Sequence, residues 1–450
     1  MRLGEVQMRS FRTRRAFILG SCLILLVTGA AAAGAGRSRR PTISREYFEA
    51  RGLFVKFWRP GEASPSGGDG VGPLFNEQSC VGCHNMGGTG GAGDQSKNVT
   101  ILTAIPGASV VGNHRSIFQG ELEELHPSFR NRTSIVLHLH STSETEEKRL
   151  AEIRDYAFVQ TRDDLFALVQ SRRNTPALFG AGRIDAIRDK ELLAAEARKF
   201  PAFPEIKGRV SRLRDGRIGK FGWKGQTASL EDFVMAACAN ELGLEVRGRH
   251  QPSLLPAKDF DPKKISLDLS DDECALMSRF VANLSAPVVR PVGDASQGLA
   301  VFEAIGCATC HAPNMGSVHG LYSDLLLHDL GDRFRASGGY GGPSSEIVDN
   351  SSKTKDAPTP SGEAGPTEWR TTPLWGVADS APYLHDGRAS TLDEAVVLHG
   401  GEAEPSSKRY TSLSFVDRQA VLAFLHSQVA PPDPGRPVDR TVRNARGKRR

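Results

Sequence analysis

Apolar positions along this chain fall into three patterns, and each predicts a different element. The first is an apolar run from Ala16 to Ala33, preceded by Arg9, Arg12, Arg14 and Arg15 and ending in small residues. That layout is a secretory signal with cleavage expected near Ala33 to Ala35; left uncleaved, a run of this length would anchor the chain in a membrane. The second pattern is helical. Leu230, Phe233, Val234, Ala237 and Glu241 share one face, and Leu392, Ala395, Val396 and His399 fall at i, i+3, i+4 and i+7, which places His399 on a buried stripe. Ser229 with Asp232, and Ser390 with Asp393, fit capping boxes at the two starts, while Gly243 and Gly400 supply the stops. Ser270-Asp271-Asp272-Glu273 opens a further helix before Ala275 to Leu284. The third pattern is the alternation of Ile135 to His140, which predicts a strand with His138 and His140 on the same side. Gly- and Pro-rich stretches at 61–72 and 337–366 read as loops, the second a candidate cover over the middle of the molecule.

Composition narrows little. A chain of 450 residues is long enough for two or three compact units. With 24% charged residues and a net charge of +5, it is too mildly basic to imply nucleic acid. The basic excess gathers in a tail, 431–450, where prolines are followed by Arg436, Arg440, Arg443, Arg446, Lys448, Arg449 and Arg450. Such a tail is expected to be disordered and simply solvated, or to steer an acidic redox partner or rest on anionic lipid. Thr13-Arg14-Arg15-Ala16-Phe17 also matches a twin-arginine export pattern. That route carries folded cargo, which conflicts with the chemistry read next.

Cys22 lies in the signal, and Cys80/Cys83 and Cys307/Cys310 form two pairs, leaving Cys238 and Cys274 in helix-like segments as buried thiols or a bridge. Cys80-Val81-Gly82-Cys83-His84 and Cys307-Ala308-Thr309-Cys310-His311 both read C-x-x-C-H. In that motif two thioethers fix a porphyrin, and the adjacent histidine becomes the proximal iron ligand. The alternative, four thiolates on one zinc ion, would need pairs much closer together than these. Attachment of haem c occurs on an unfolded chain outside the cytoplasm, so two such motifs agree with the export signal.

The motifs belong to a repeat. Phe75 and Phe302 each precede the first cysteine by five residues, and the stretch from Arg173 to Gly180 echoes that from Arg370 to Gly376. Trp223 to Asp232 then matches His385 to Glu394 position for position, which makes Ala237 the counterpart of His399. A histidine facing haem can close the sixth iron position and an alanine cannot. The expected outcome is a six-coordinate His311/His399 haem, and a first haem bounded distally by Phe233, Ala237 and Glu241.

These residues resemble the di-haem oxidoreductase family, relatives of the bacterial di-haem cytochrome c peroxidases and of the di-haem enzyme that matures tryptophan tryptophylquinone. The resemblance runs from Val71 to Gln428 and is carried by Gly72-Pro73-Leu74-Phe75-Asn76, Phe221-Gly222-Trp223-Lys224, Tyr322 to Asp329, and Pro382 to Arg388. It implies that the residue fourteen beyond His385, here His399, is the distal ligand of the second haem. It also implies that Trp223 relays electrons between haems, and that Glu241, two residues short of the peroxidases' glutamate, assists O–O cleavage. Phe233 stands where the peroxidases have glutamine. The segment from Gly87 to Arg172 is longer than theirs, and its His114, His126, His138 and His140 are alternative ligands for the first haem.

The expected fold is mainly α: two tandem cytochrome c-like haem domains with long loops and a few short strands. The expected divisions are a signal peptide at 1–35, a linker at 36–70, a first haem domain with an insertion at 71–286, a second at 292–430, and the tail. The expected function is an exported, periplasmic cytochrome c with two covalent haem c groups, reducing a peroxide-like oxidant, or else a pure electron carrier. A redox protein or small donor would supply electrons. Membrane contact is expected only through an uncleaved signal or the tail, and calcium stays open.

Overall fold

The structure is a computed structural model that describes residues 45–432 apart from 108–113, 131, 156–159, 163–164, 253, 255–260, 262–264, 337 and 341–361. The signal, Cys22 and residues 433–450 of the basic tail therefore lie outside the described residues. Twelve α-helices and fourteen strands, most of the strands two to four residues long, make up the regular structure within that range.

The stretch expected to be a linker is instead part of the first core. Its Arg45–Val55 helix buries Ala50 and Phe54, and Trp58 beyond it is 2% exposed. Phe54 packs on Phe280 of the Asp271–Ala282 helix with ring centroids 5.0 Å apart. That helix opens as expected, with Ser270 and Glu273 forming a reciprocal capping box. Tyr47 and Phe54 of this helix both meet Phe280, more than two hundred residues later, so no local pattern announces their burial.

The insertion corrects the expectation of short strands. Val99–Pro106 and Phe166–Arg173, eight residues each, form an antiparallel sheet with Ser134–Leu137 and Gln160–Arg162, in the order 134–137, 99–106, 166–173, 160–162. Leu102, Ala104, Ile135 and Leu137 share a core with Phe118 and Leu122 of the His114–Leu125 helix and Leu150 and Ile153 of the Glu144–Asp155 helix. The alternate positions Ile101, Thr103, Ser134 and Val136 are buried as well. Burial on both faces removes the polar–apolar alternation by which such strands are recognised.

The second half has its own core of Phe302, Ile305, Leu392, Ala395, Tyr410, Val421, Phe424 and Leu425. The Ala295–Ala304 and Phe415–Ser427 helices meet closely: a Cβ on Gly298 would come within 1.8 Å of the Ala420 carbonyl oxygen. The halves are interlocked. Met315, Val318, Leu321, Leu325, Leu326 and Trp375 of the second half lie in the core of the first, and Val288–Val289 of the expected boundary pairs with Gln428–Val429.

The repeat is visible in the backbone. Phe221 bridges Thr227 and Tyr383 bridges Ala389, with Gly225 and Gly387 at positive φ in the same place of each turn. The helices that follow are capped by Ser229 and Thr391, so Thr391 takes the role expected of Ser390. Gly243 ends the first helix in the left-handed conformation. The second ends at Leu398, before Gly400, and His399 is its extended C-cap rather than part of the helical stripe.

Candidate haem sites and the wall between them

Each C-x-x-C-H motif folds as a single helical turn whose cysteines and histidine line a cavity. Ser79 caps the first turn by accepting from the Gly82 N–H at 3.1 Å. The His84 and His311 N–H groups donate back to the Cys80 and Cys307 carbonyls, both at 2.9 Å. The Nδ1 atoms of the two rings are held at backbone carbonyls, His84 at Gly91 (3.1 Å) and His311 at Tyr322 (3.0 Å). This fixes each ring and leaves Nε2 as the nitrogen free to bind a metal. Burial lowers both imidazoles to about 4, which keeps them neutral, the form a metal needs. The cysteine pairs belong to different cavities, so they cannot share one zinc ion.

The second cavity is lined by Cys307, Cys310, His311, His399, Trp223, Trp369 and His385 among others. His311 and His399 face each other across it with ring centroids 6.5 Å apart and planes at 63°. Two imidazoles bound to opposite sides of one metal, with metal–nitrogen bonds of about 2.0–2.1 Å, would have centroids roughly 6.3 Å apart. His399 Nδ1 contacts the Ala395 carbonyl at 2.7 Å, again leaving Nε2 for the cavity. The turn after His399 is tied down by Glu402, which meets His328 Nδ1 at 2.8 Å and accepts from the Lys207 N–H at 2.9 Å. His328 is 4% exposed, and its Nε2 lies 3.1 Å from Asp324. The sequence offered no signal for this Asp324–His328–Glu402 chain, because Glu402 comes from a distant turn.

The first cavity is lined by Cys80, Cys83, His84, Phe233, Ala237, Glu241 and Tyr340 among others. Phe233, Ala237 and Glu241 form one face of the Leu230–Leu242 helix, as their spacing requires. Asn76 Nδ2 donates to Glu241 Oε2 at 2.6 Å, the Tyr340 hydroxyl pairs with the same carboxylate, and burial raises its pKa. Of the insertion's histidines, His126, His138 and His140 stay away from this cavity. His126 is wholly buried, His138 donates from Nε2 to the Asn240 carbonyl at 2.8 Å, and His140 lies against Phe75. His138 and His140 do not share a side: the strand ends at Leu137 and the chain bends, leaving one buried and the other half-exposed. The side chain of His114 lies outside the described residues.

Trp223 forms part of the wall of both cavities. Its Nε1–H donates to the Asn174 carbonyl at 2.8 Å, and its own carbonyl accepts from the Arg370 N–H at 2.9 Å. The repeat-related His385 accepts at its carbonyl from the Asn174 N–H at 2.6 Å, so the two halves cross-link through equivalent turns. His385 also stacks on Trp369, centroids 3.7 Å apart. Cys238 and Cys274 are free buried thiols.

Each cavity offers the donor set that haem c needs, two thiols and a neutral imidazole, with Arg173 and Lys224 in the wall of the first and Arg370 in that of the second; Lys224 Nζ already donates to the Gly365, Pro366 and Glu368 carbonyls. Burial lowers Arg173 and Arg370 to about 10 and Lys224 to about 6, a cost that bound anions would offset. Residues 266–428 match the family described as "Di-haem oxidoreductase, putative peroxidase". This segment belongs to the di-haem oxidoreductases. The match covers a little over a third of the chain, the part that holds the second C-x-x-C-H motif. Two similar solved structures are a hydrazine synthase of Kuenenia stuttgartiensis pressurised with xenon and a MauG-like protein associated with microbial copper homeostasis. The first is 18% identical, covering 57% of this chain and 72% of that one, with a TM-score of 0.33. The second is 17% identical, covering 54% and 90%, with a TM-score of 0.28. Scores this low show neither fold nor function for this chain. No curated protein matches it.

Proposed function

We propose that this di-haem oxidoreductase is an exported c-type cytochrome with haem attached at Cys80, Cys83 and His84 and at Cys307, Cys310 and His311, one in each of two tandem cytochrome c-like halves. It reduces a peroxide-like oxidant at the first haem with electrons held at the second. The asymmetry of the two cavities carries this reading: His399 faces His311 in one, whereas Ala237 holds the corresponding place in the other.

The haems, when bound, supply one-electron storage and the iron at which the oxidant reacts. The chain's own residues do the rest. His311 and His399 would hold the second haem, a pair of ligands that suits electron storage rather than substrate binding. Trp223, shared by both walls, is positioned to pass electrons between them. Glu241 is kept protonated by burial at pH values where a solvated glutamate has ionised, so it can deliver a proton to the departing oxygen of a peroxide. Two electrons and two protons then turn hydrogen peroxide into two waters. The electrons would come from a redox protein or small donor outside the cytoplasm. The described residues include no helix long and apolar enough to cross a membrane, and no group of three or more His, Cys, Asp or Glu placed to hold a metal such as calcium.

The test is the electron paramagnetic resonance spectrum of the oxidised, haem-loaded protein with and without cyanide, followed by peroxide consumption with a reduced donor. One low-spin signal indifferent to cyanide plus one high-spin signal that cyanide converts is expected. Two low-spin signals that ignore cyanide would leave a pure electron carrier as the function.

A further inference from the structure

Tyr340 comes from a segment remote from both C-x-x-C-H motifs, yet it lines the first cavity with Cys80, Cys83 and His84. Its ring lies 6.3 Å from that of Phe233, and its hydroxyl pairs with the Glu241 carboxylate. Phe233 and Glu241 are eight residues apart on one helix face, about 12 Å along the axis. A side chain that reaches both spans the stretch of helix face that holds Ala237, which lines the same cavity. In the second half the residue at that position is His399, which faces the iron-binding His311.

The insertion explains why Tyr340 is there. Gly338, two residues earlier, sits on the sheet so closely that a Cβ would come within 2.4 Å of Thr103 Oγ1, 2.5 Å of Ser134 Oγ and 2.6 Å of Ile101 Cγ2. Arg173 Nη2, from the end of the 166–173 strand, donates to the Gly338 carbonyl at 3.3 Å. The sheet thus packs its helices on one face and seats the Gly338 backbone on the other.

We propose that Tyr340 covers the distal side of the first haem, the place His399 takes at the second, and sets how fast small ligands reach that iron. The insertion's sheet is the platform that holds it there. This rests on haem being attached at Cys80, Cys83 and His84.

The experiment uses the full-length holoprotein, with cyanide as the probe of the ferric first haem followed by stopped-flow absorption. The second haem's low-spin signal serves as an internal control for folding. Tyr340→Ala should speed cyanide association at least tenfold. Tyr340→Phe, which keeps the ring but drops the bond to Glu241, should give a smaller acceleration. Gly338→Ala, which cannot sit on the sheet without displacing its neighbours, should shift the rate in the same direction as Tyr340→Ala. Rates within twofold of the unsubstituted protein for both Tyr340→Ala and Gly338→Ala, with two haems bound, would overturn the proposal. A chain carrying only one haem overturns the underlying reading instead, and the haem count by pyridine haemochrome separates the two failures.

Discussion

Replacing His399 by glycine should open one iron and leave the other as it was. The 6.5 Å between the His311 and His399 centroids is within a few tenths of an ångström of the spacing for two imidazoles on one iron, about 6.3 Å. With both imidazoles on the iron, as proposed, removing one deletes one of six ligand bonds at the second haem, and half of the protein's haem should pass from low to high spin. Because Nδ1 of the lost ring contacted only the Ala395 carbonyl, the vacated space can accept free imidazole, and millimolar imidazole should restore the low-spin signal. His399→Met tests the same bond through its potential. A thioether in place of imidazole favours ferrous iron, and a rise on the order of 100 mV, roughly a fiftyfold shift at 59 mV per tenfold, is expected in a redox titration. Should His399→Gly keep its full low-spin intensity and ignore imidazole, His399 is not on the iron and the asymmetry argument fails with it.

Four other outcomes follow from the packing and charge. Phe54→Ala, at a residue 1% exposed and packed on Phe280, should cost about 3–5 kcal/mol in chemical denaturation; a change under about 0.5 kcal/mol would return residues 45–58 to the status of a linker. Gly298→Ala should lose about 1–3 kcal/mol despite alanine's better helix propensity, because the added carbon meets the Ala420 carbonyl; a gain in Tm would show that the two helices can part freely. Burial raises the folded-state pKa of Glu241 above its ordinary 4.5, so the native chain binds more protons than the unfolded one there. Stability from this group is present below about 4.5 and is lost as pH climbs through the raised value, and Glu241→Gln should flatten that part of the stability–pH curve, which an unchanged slope would contradict. Trp223→Phe removes the Nε1–H bond to Asn174 and should slow reduction of the first haem by electrons placed on the second, with both haem spectra unchanged; an unaltered rate would exclude the relay.

The local chemistry was legible because it is short in range. C-x-x-C-H places both thiols and the imidazole on one helical turn, Ser229 and Gly243 bound a helix through bonds to their near neighbours, and a spacing of four puts Phe233, Ala237 and Glu241 on one face. The repeat also identified His399 as the partner of Ala237, although the helix stops one residue earlier than its periodicity suggests. Thr391 rather than Ser390 caps that helix, a one-residue slip of the kind that hydroxyl pairs invite, since either can reach the N3 amide.

Contacts between segments far apart in sequence were decided by tertiary structure alone. Tyr340 carries no motif, and it reaches Phe233 and Glu241 from a segment whose Gly338 is pressed against a sheet more than two hundred residues before it. His328 acquires Glu402 as a partner only because the turn after His399 folds back on it. Helix 45–55 looks like part of a linker until Phe280 supplies the surface it buries, and the insertion's strands lose their alternation because both faces are covered. The C-x-x-C-H turns and the helix ends depend on neighbours within a few residues, so the sequence determines them. A buried surface needs two partners, and only the fold brings the second one.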